Sequence, residues 1–348
     1  MNESIILGIE SSCDDTSAAI IRGNEILSNI AANQEIHNLY GGVVPELASR
    51  AHQQNIIPVV QQSLTKANIQ QNDIDAVGFT RGPGLLGSLL VGTSFAKSLA
   101  MSLNVPLIEV NHLQAHILAH FIADANPVPP KFPFLCLTVS GGHTMIVLVK
   151  DYFDMQIIGK TTDDAAGEAF DKIGKIFGLD YPAGPIIDRM AKEGDPTSFE
   201  FSKPKMQNYD YSFSGIKTSV LYFIQKEIRK NPEFISENIH GLCASVQKSI
   251  VDILMQKLIK AATELNITEV AIAGGVSANS ALRQAMQETG QKLGWNIYIP
   301  KFEYTTDNAA MIAMVAKLKF ERGEFADLST SAAARYDLVS DFEEGKVN

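Results

Sequence analysis

The chain has 348 residues, 45% of them hydrophobic and 20% charged. That is enough apolar material for a core in two lobes of ordinary domain size, and it excludes global disorder and collagen-like or low-complexity fibres. A formal charge of −10, from 29 Lys+Arg against 39 Asp+Glu, excludes nucleic-acid binding through a diffuse basic surface and leaves only a local basic patch, or a partner's.

The chain opens Met-Asn-Glu-Ser, without the cationic start and small-residue cleavage site of a secretory signal. Three widely spaced cysteines, Cys13, Cys136 and Cys243, offer neither a disulfide framework nor a CxxC metal knuckle, so a reducing, cytoplasmic setting is expected. The run Ile5-Ile6-Leu7-Gly8-Ile9, the polar residues 10–16 and the run Ala18-Ala19-Ile20-Ile21 read as strand, turn, strand. Ala76-Val77-Gly78-Phe79-Thr80 reads as a strand entering the turn Arg81-Gly82-Pro83-Gly84. Residues 84–103, weakly polar but carrying Lys97 and many small side chains, read as a buried helix and not as a membrane span.

Residues 134–139, the turn Ser140-Gly141-Gly142-His143-Thr144 and residues 145–149 repeat the first device. Val270-Ala271-Ile272-Ala273 with Gly274-Gly275-Val276-Ser277 repeats the second. Both echoes keep their order, so two related α/β halves joined near the Pro-rich residues 127–133 are expected. The first lobe would span 1–128 plus about 309–348 and the second 129–308, with a helical insertion over about 163–237, where Pro- and Gly-containing turns break short helical segments. Val246, Ile250, Ile253, Leu254, Leu258 and Ala261 recur at helical spacing and place a core-facing helix over 244–265. A last helix over about 308–320 is expected to pack back on the first lobe, with a loosely ordered tail after Tyr336.

Turns rich in Ser, Gly and Thr between buried strands present several backbone N–H groups to an anion, and two such turns facing each other would clamp a nucleotide. Alone, Ser140-Gly141-Gly142-His143 could equally be a tight hairpin. The turn Gly274-Gly275-Val276-Ser277-Ala278-Asn279 leads from strand to helix and sets N–H groups and the Asn279 amide where a sugar or base would lie. Neither G-x-G-x-x-G nor Walker A spacing is present.

His112 and His116 stand at i and i+4, on one helical face, where they can hold one metal ion or be two unrelated core histidines. His120 extends the row. The third ligand must come from afar, and Asp307, in Thr305-Thr306-Asp307-Asn308, is the candidate, with a plain helix N-cap as its alternative role. Two histidines and one carboxylate with open positions suit Fe(II), and Zn(II) nearly as well. Residues 163–171 hold Asp163, Asp164, Glu168 and Asp171. As a plain helix start, the first two would serve the helix dipole and Asp171 would be idle. Alternatively, Asp171 and Asp188, either side of a Pro/Gly turn containing Gly184, could meet ribose hydroxyls.

Taken together, Gly8-Ile9-Glu10-Ser11-Ser12-Cys13-Asp14, His112 and His116, residues 139–144, residues 164–172, Asp180-Tyr181-Pro182, Phe213-Ser214-Gly215-Ile216-Lys217 and residues 274–279 resemble the tRNA N6-adenosine threonylcarbamoyltransferase family, called TsaD in bacteria. The resemblance runs in order from about residue 5 to about residue 320. It implies a duplicated, two-lobe actin-like α/β fold, shared by acetate and sugar kinases, Hsp70 and actin. It assigns His112, His116 and Asp307 to a metal, usually described as iron, one Fe(2+) per subunit. It assigns Val139, Ser140, Gly141, Gly142, His143, Asp171, Gly184, Asp188 and Asn279 to an adenylate-bearing substrate. The family's H-x-E-G-H helix departs here to Gln114 and Ala115, which leaves the ligands but puts the usual Glu's support of them in doubt.

The implied reaction moves a threonylcarbamoyl group from threonylcarbamoyl-AMP to N6 of adenosine 37 in tRNAs that read codons beginning with A, releasing AMP. The donor is a mixed anhydride with a good leaving group and the amine is a poor nucleophile, so positioning and carbonyl polarisation should supply most of the acceleration. Asp14, on the first turn, is the candidate for orienting or deprotonating the amine. The anticodon loop is single-stranded and accessible without melting a duplex. It would meet a local patch such as Lys203, Lys205, Lys217, Lys226, Arg229 and Lys230, or a partner. The resemblance implies two protein partners, a smaller paralogous subunit and an ATPase. An actin-fold sugar kinase or ATPase is the rival reading, although a kinase would hold Mg²⁺ by oxygen ligands. The family's former description as O-sialoglycoprotein endopeptidases lacks support here, since the H-E-x-x-H base is missing.

Overall fold

The two apolar runs at the start of the chain pair as a hairpin, β1 (Ile5–Glu10) against β2 (Thr16–Arg22), with Glu10 opposite Ser17. The computed structural model describes residues 3–338 apart from 35, 36, 38, 39, 41 and 205. Strand β3 (Glu25–Ala32) extends the hairpin on one side, while β4 (Ala76–Gly82) and β5 (Leu107–Asn111) add in parallel on the other, giving the order β3-β2-β1-β4-β5. The second sheet repeats this plan: β6 (Phe134–Val139), β7 (Thr144–Asp151) and β8 (Asp154–Lys160) form the meander, and β9 (Glu269–Ala273) and β10 (Asn296–Tyr298) follow in parallel. The echoes legible at six strands therefore extend to all ten among the described residues.

By contacts the chain forms two units. Residues up to Pro129, Tyr152–Asp154 and those from Pro300 onward make the first, and Pro130–Asp151 with Met155–Ile299 make the second. Each has its own core. In the first, alternation along the strands turns Leu7, Ile9, Val77 and Phe79 to one face. They pack there with Ile56, Val59, Val60 and Leu64 of α1 (Pro45–Ala67) and with Ala96 and Ala100 of α2 (Leu86–Leu103).

Helix α2 is one-sided where full burial was expected: Ser88, Leu89, Gly92, Ala96 and Ala100 are buried, but Leu86, Leu90 and Met101 are exposed. Among the described residues it is the helix long and apolar enough to cross a membrane by length and composition, with 33% of it buried.

In the second unit the expected helix is α7 (Phe234–Leu265), and Val246, Ile250, Ile253, Leu254, Leu258 and Ala261 all lie in its core. Residues 163–237 carry α4 (Ala166–Phe177), α5 (Ala183–Ala191) and α6 (Ser214–Ile228). Helix α8 (Ser280–Leu293) follows β9. The chain is held as far as Leu338: Tyr336 and Leu338 are buried, and the Asn111 side chain donates to the carbonyls of Tyr336 and Asp337. Residues 339–348 lie outside the described ones.

The other face of the first sheet receives α9 (Ala309–Arg322), whose residues from Ala309 to Lys319 are all buried. Here the sequence must be small. A Cβ on Gly8 would stand 2.5 Å from the Ala313 backbone nitrogen, and one on Gly78, opposite Gly8 in the β1–β4 register, 2.4 Å from the Ala316 Cβ. Replacing Gly8 with Ala should therefore push α9 away or strain β1. The expected loss is about 1–3 kcal/mol of stability, the range for overpacking a close-packed interior, read as a lower denaturation midpoint.

Candidate functional site

Strand β5 ends at Asn111, whose side-chain oxygen accepts from the N–H groups of Leu113 and Gln114, starting helix α3 (His112–Leu118) at once. The cap sets the first turn, so His112 and His116 rise on one face, ring centroids 4.7 Å apart and nearly perpendicular. The carboxylate arrives from the loop before α9. Asn308, and not Asp307, caps that helix, its oxygen accepting from Met311 N–H. Asp307 is thereby left free, with Oδ1 3.3 Å from Nε2 of both His112 and His116. The sequence expectation of three residues meeting from distant segments holds in geometry, and the alternative cap role belongs to the neighbouring residue.

Whether this trio suits a metal can be judged from its donors. Its three ligand atoms lie within 4.8 Å of one another, and His116, buried, has an Nδ1 without a hydrogen-bond partner among the described residues. Two imidazoles and a carboxylate converging, with no Lys or Arg in the set, fit one divalent ion. Burial opposes the charge on His112, yet Asp307 and Glu10 hold its pKa well above the usual range. Burial pulls that of His116 down. Burial alone would raise Asp307, but the two histidines facing it hold it well below the ordinary carboxylate range. His120 stands apart, its Nδ1 3.0 Å from the Asn126 amide nitrogen. Gln114 is fully buried, and neither end of its amide has a hydrogen-bond partner among the described residues.

A residue that the sequence presented only as a turn position belongs to this centre. Glu10, the last of β1, has no exposed surface. Its Oε1 accepts from Ser12 N–H at 2.5 Å, while Oε2 lies 2.6 Å from Thr80 Oγ1 and 3.0 Å from His112 Nδ1. Strand alternation explains it: Gly8 and Glu10 share the α9 face of β1, and Gly78 and Thr80 that of β4.

The turn after Glu10 carries Asp14. It is fastened from two sides: His52 of α1 reaches Thr16 Oγ1 with one ring nitrogen and the Cys13 carbonyl with the other, and Ser88 Oγ donates to that same carbonyl. Asp14 and Asp15 are partly exposed. Burial, then the neighbouring Asp14 charge, pushes the Asp15 carboxyl up to about 7, a perturbation with no signal in the sequence beyond two adjacent acids.

In the second unit, the Ser140 to His143 turn closes on itself, Ser140 N–H donating to the His143 carbonyl and His143 N–H to Ser140 Oγ. Gly141 and Gly142 are exposed, with nothing within 4 Å of a Cβ on either. The α4 N-terminus meets this turn, since Gly167 N–H donates to the Ser140 carbonyl and Ala166 N–H to Thr144 Oγ1. Val139 is buried, and its carbonyl lies where a Cβ on Gly274 (φ +85°) would sit, at 2.5 Å. Asn279 caps α8 through Leu282 N–H and donates to Gln247 Oε1.

The acidic cluster disperses, and the helix-start reading needs correcting. Asp163 reaches across to α6, accepting from the N–H groups of Phe213 and Ser214 and from both Ser212 and Ser214 hydroxyls. Asp164 bonds Lys172 and lies 3.6 Å from Lys217. Asp171 is not idle: one oxygen accepts from Ala183 N–H at the start of α5, next to Gly184, and burial raises its carboxyl. Asp188 Oδ1 accepts from Ser280 N–H and Oγ at the start of α8. Of the expected basic patch, Lys203 pairs with Asp252 and Lys230 with Glu227, and Lys205 lies outside the described residues.

Two sheets of one strand order, each built from an antiparallel meander and two parallel strands, define the duplicated actin-like ATPase fold. Solved structures agree on the fold: a nucleotide-bound HypF aligns over 93% of this chain and 48% of its own, with TM-score 0.62 and 13% identity. A hexokinase of Thermus thermophilus aligns over 92% and 100%, with TM-score 0.51 and 14% identity. A family model described as tRNA N6-adenosine threonylcarbamoyltransferase matches residues 25–314. A Riemerella anatipestifer protein of that name is 82% identical over 97% of this chain and 99% of its own. The chain belongs to the tRNA N6-adenosine threonylcarbamoyltransferase family, and is a transferase of tRNA modification; the sugar-kinase or ATPase reading is not favoured.

Separating the two neighbouring residues tests the metal geometry. Asp307→Ala should abolish metal retention, whereas Asn308→Ala should keep it and lose about 1 kcal/mol of stability, the usual worth of an N-cap; elemental analysis and thermal unfolding read the pair. Loading should also depend on pH in a set direction. With its raised pKa, His112 holds a proton in the metal-free protein that an ion at Nε2 must displace. Affinity should therefore fall on acidification and rise with pH through the His112 titration, with proton release measurable by calorimetry in buffers of different ionisation heat.

Proposed function

We propose that the chain transfers the threonylcarbamoyl group of threonylcarbamoyl-AMP to N6 of adenosine 37 in tRNAs reading codons that begin with A, with Fe(2+) as the native ion and Zn(2+) able to replace it. The convergence of His112, His116 and Asp307 carries this reading within a chain of this family. When bound, the ion supplies Lewis acidity toward a carbonyl oxygen.

The remaining work falls to the chain. Asp14 orients the attacking amine and takes its proton as the C–N bond forms and the carbonyl–phosphate bond breaks, with AMP leaving. The 139–143 turn, Asp171, Gly184, Asp188 and Asn279 hold the AMP portion. Support for this comes from the exposed Gly141-Gly142 backbone and from Asp171 and Asp188 standing at the starts of α5 and α8, where each accepts from backbone N–H. A smaller paralogous subunit and an ATPase act with the chain, in the cytoplasm. With net charge −10, contact with tRNA falls to Lys217, Lys226 and Arg229 or to those partners.

Purified protein with threonylcarbamoyl-AMP, its partners and unmodified tRNA should release AMP and yield the modified nucleoside by mass spectrometry. His112→Ala should mainly lower kcat and Asp171→Ala mainly raise the KM for the adenylate. Unmodified adenosine alongside ADP and a sugar phosphate from ATP and sugar would reject the proposal.

A further inference from the structure

We infer that Glu10 is the positioning residue of the metal centre: by accepting the Nδ1 proton of His112 it presents that ring's Nε2 to the ion, and by accepting Ser12 N–H it ties the Asp14-bearing turn to the same ring. This rests on the metal reading above and extends it to a residue outside the ligand set. Three observations carry it. Glu10 is completely buried and lies on the same face of the first sheet as the close approach of α9. Its partners are an N–H (Ser12, 2.5 Å), a hydroxyl (Thr80, 2.6 Å) and a ring nitrogen (His112 Nδ1, 3.0 Å), so both carboxylate oxygens are engaged. Among the described residues the His116 Nδ1 has no hydrogen-bond partner, so the anchored ring of the pair is that of His112.

The chemistry follows from the donor count. A carboxylate at Nδ1 fixes the tautomer in which Nε2 carries the free lone pair, and it raises that nitrogen's basicity as a ligand. In Glu10→Gln, the amide oxygen can stay with Ser12 N–H only by turning its NH₂ toward Thr80 and His112. An NH₂ facing Nδ1 favours the opposite tautomer, with the proton on Nε2, where the ion should bind. Volume is unchanged, so a loss of affinity reports on the hydrogen bond and not on packing.

The test uses the full chain loaded with zinc. In the unmutated protein, ¹⁵N-histidine NMR should show His112 bound through Nε2 with a slowly exchanging Nδ1 proton, and His116 with a faster one. Ligation of His112 through Nδ1, or equal exchange at both rings, would overturn the inference without any variant having to fold. Glu10→Gln should weaken zinc binding by about 10- to 100-fold in chelator competition and should remove the slow proton. Parent-level affinity in Glu10→Gln would overturn this inference and leave the metal centre standing. A parent chain that binds neither zinc nor cobalt, with His116→Ala indistinguishable from it, would overturn the metal reading and this inference together.

Discussion

Helix α9 comes closest to β1 and β4 where those strands carry no side chains, at Gly8 and Gly78. That close approach fixes where the helix begins, and the beginning of the helix is where Asp307 leaves the backbone. With any larger side chain at either glycine, α9 would stand farther off, and the carboxylate would move with it. The geometry of the three candidate ligands is thus an outcome of backbone packing, set by residues that have no chemistry of their own. Asn308 completes the arrangement by capping the helix, so its neighbour has no structural duty to perform.

The same face of the sheet holds a charge that would be costly alone. Glu10 is removed from water, and a carboxylate so placed needs its oxygens matched in full. Ser12, Thr80 and His112 match them. The lowering of its pKa reflects this balance, with burial pushing the carboxyl up and the charge and hydrogen bond of His112 outweighing it.

Where the sequence was legible, a periodic or repeated signal made it so. The paired strand-turn-strand runs, the spacing of Val246 to Ala261 and the i, i+4 histidines each describe something local, and each stands in the structure. Strands β3, β8 and β10 mix polar and apolar residues at sheet edges, where burial on one face leaves a weak alternation. The role of Glu10 was hidden because a carboxylate among Ser, Ser and Cys looks like a solvated turn. Only the pairing of β1 with β4, seventy residues away, brings Thr80 beside it. Asp163 was misread for a related reason: its nearest helix is α4, but its oxygens serve α6 across a long stretch of chain. Long-range capping leaves no spacing to read.

In β6, Leu135, Leu137 and Val139 turn to the second core, so that strand ends on a core-facing side chain. In β1, Leu7 and Ile9 turn to the first core, so Glu10, the last residue, faces the opposite way. Two copies of one plan therefore end their first strands on opposite faces, one on an apolar plug and the other on a carboxylate. A carboxylate at Val139 would enter a fully buried position among the apolar residues of the second core, and a valine at Glu10 would take the acceptor from Ser12 N–H and leave Thr80 Oγ1 and His112 Nδ1 with only their longer contacts to the Ile9 carbonyl and Ser12 Oγ. Each strand end is held to its own chemistry by the desolvation cost of the other's.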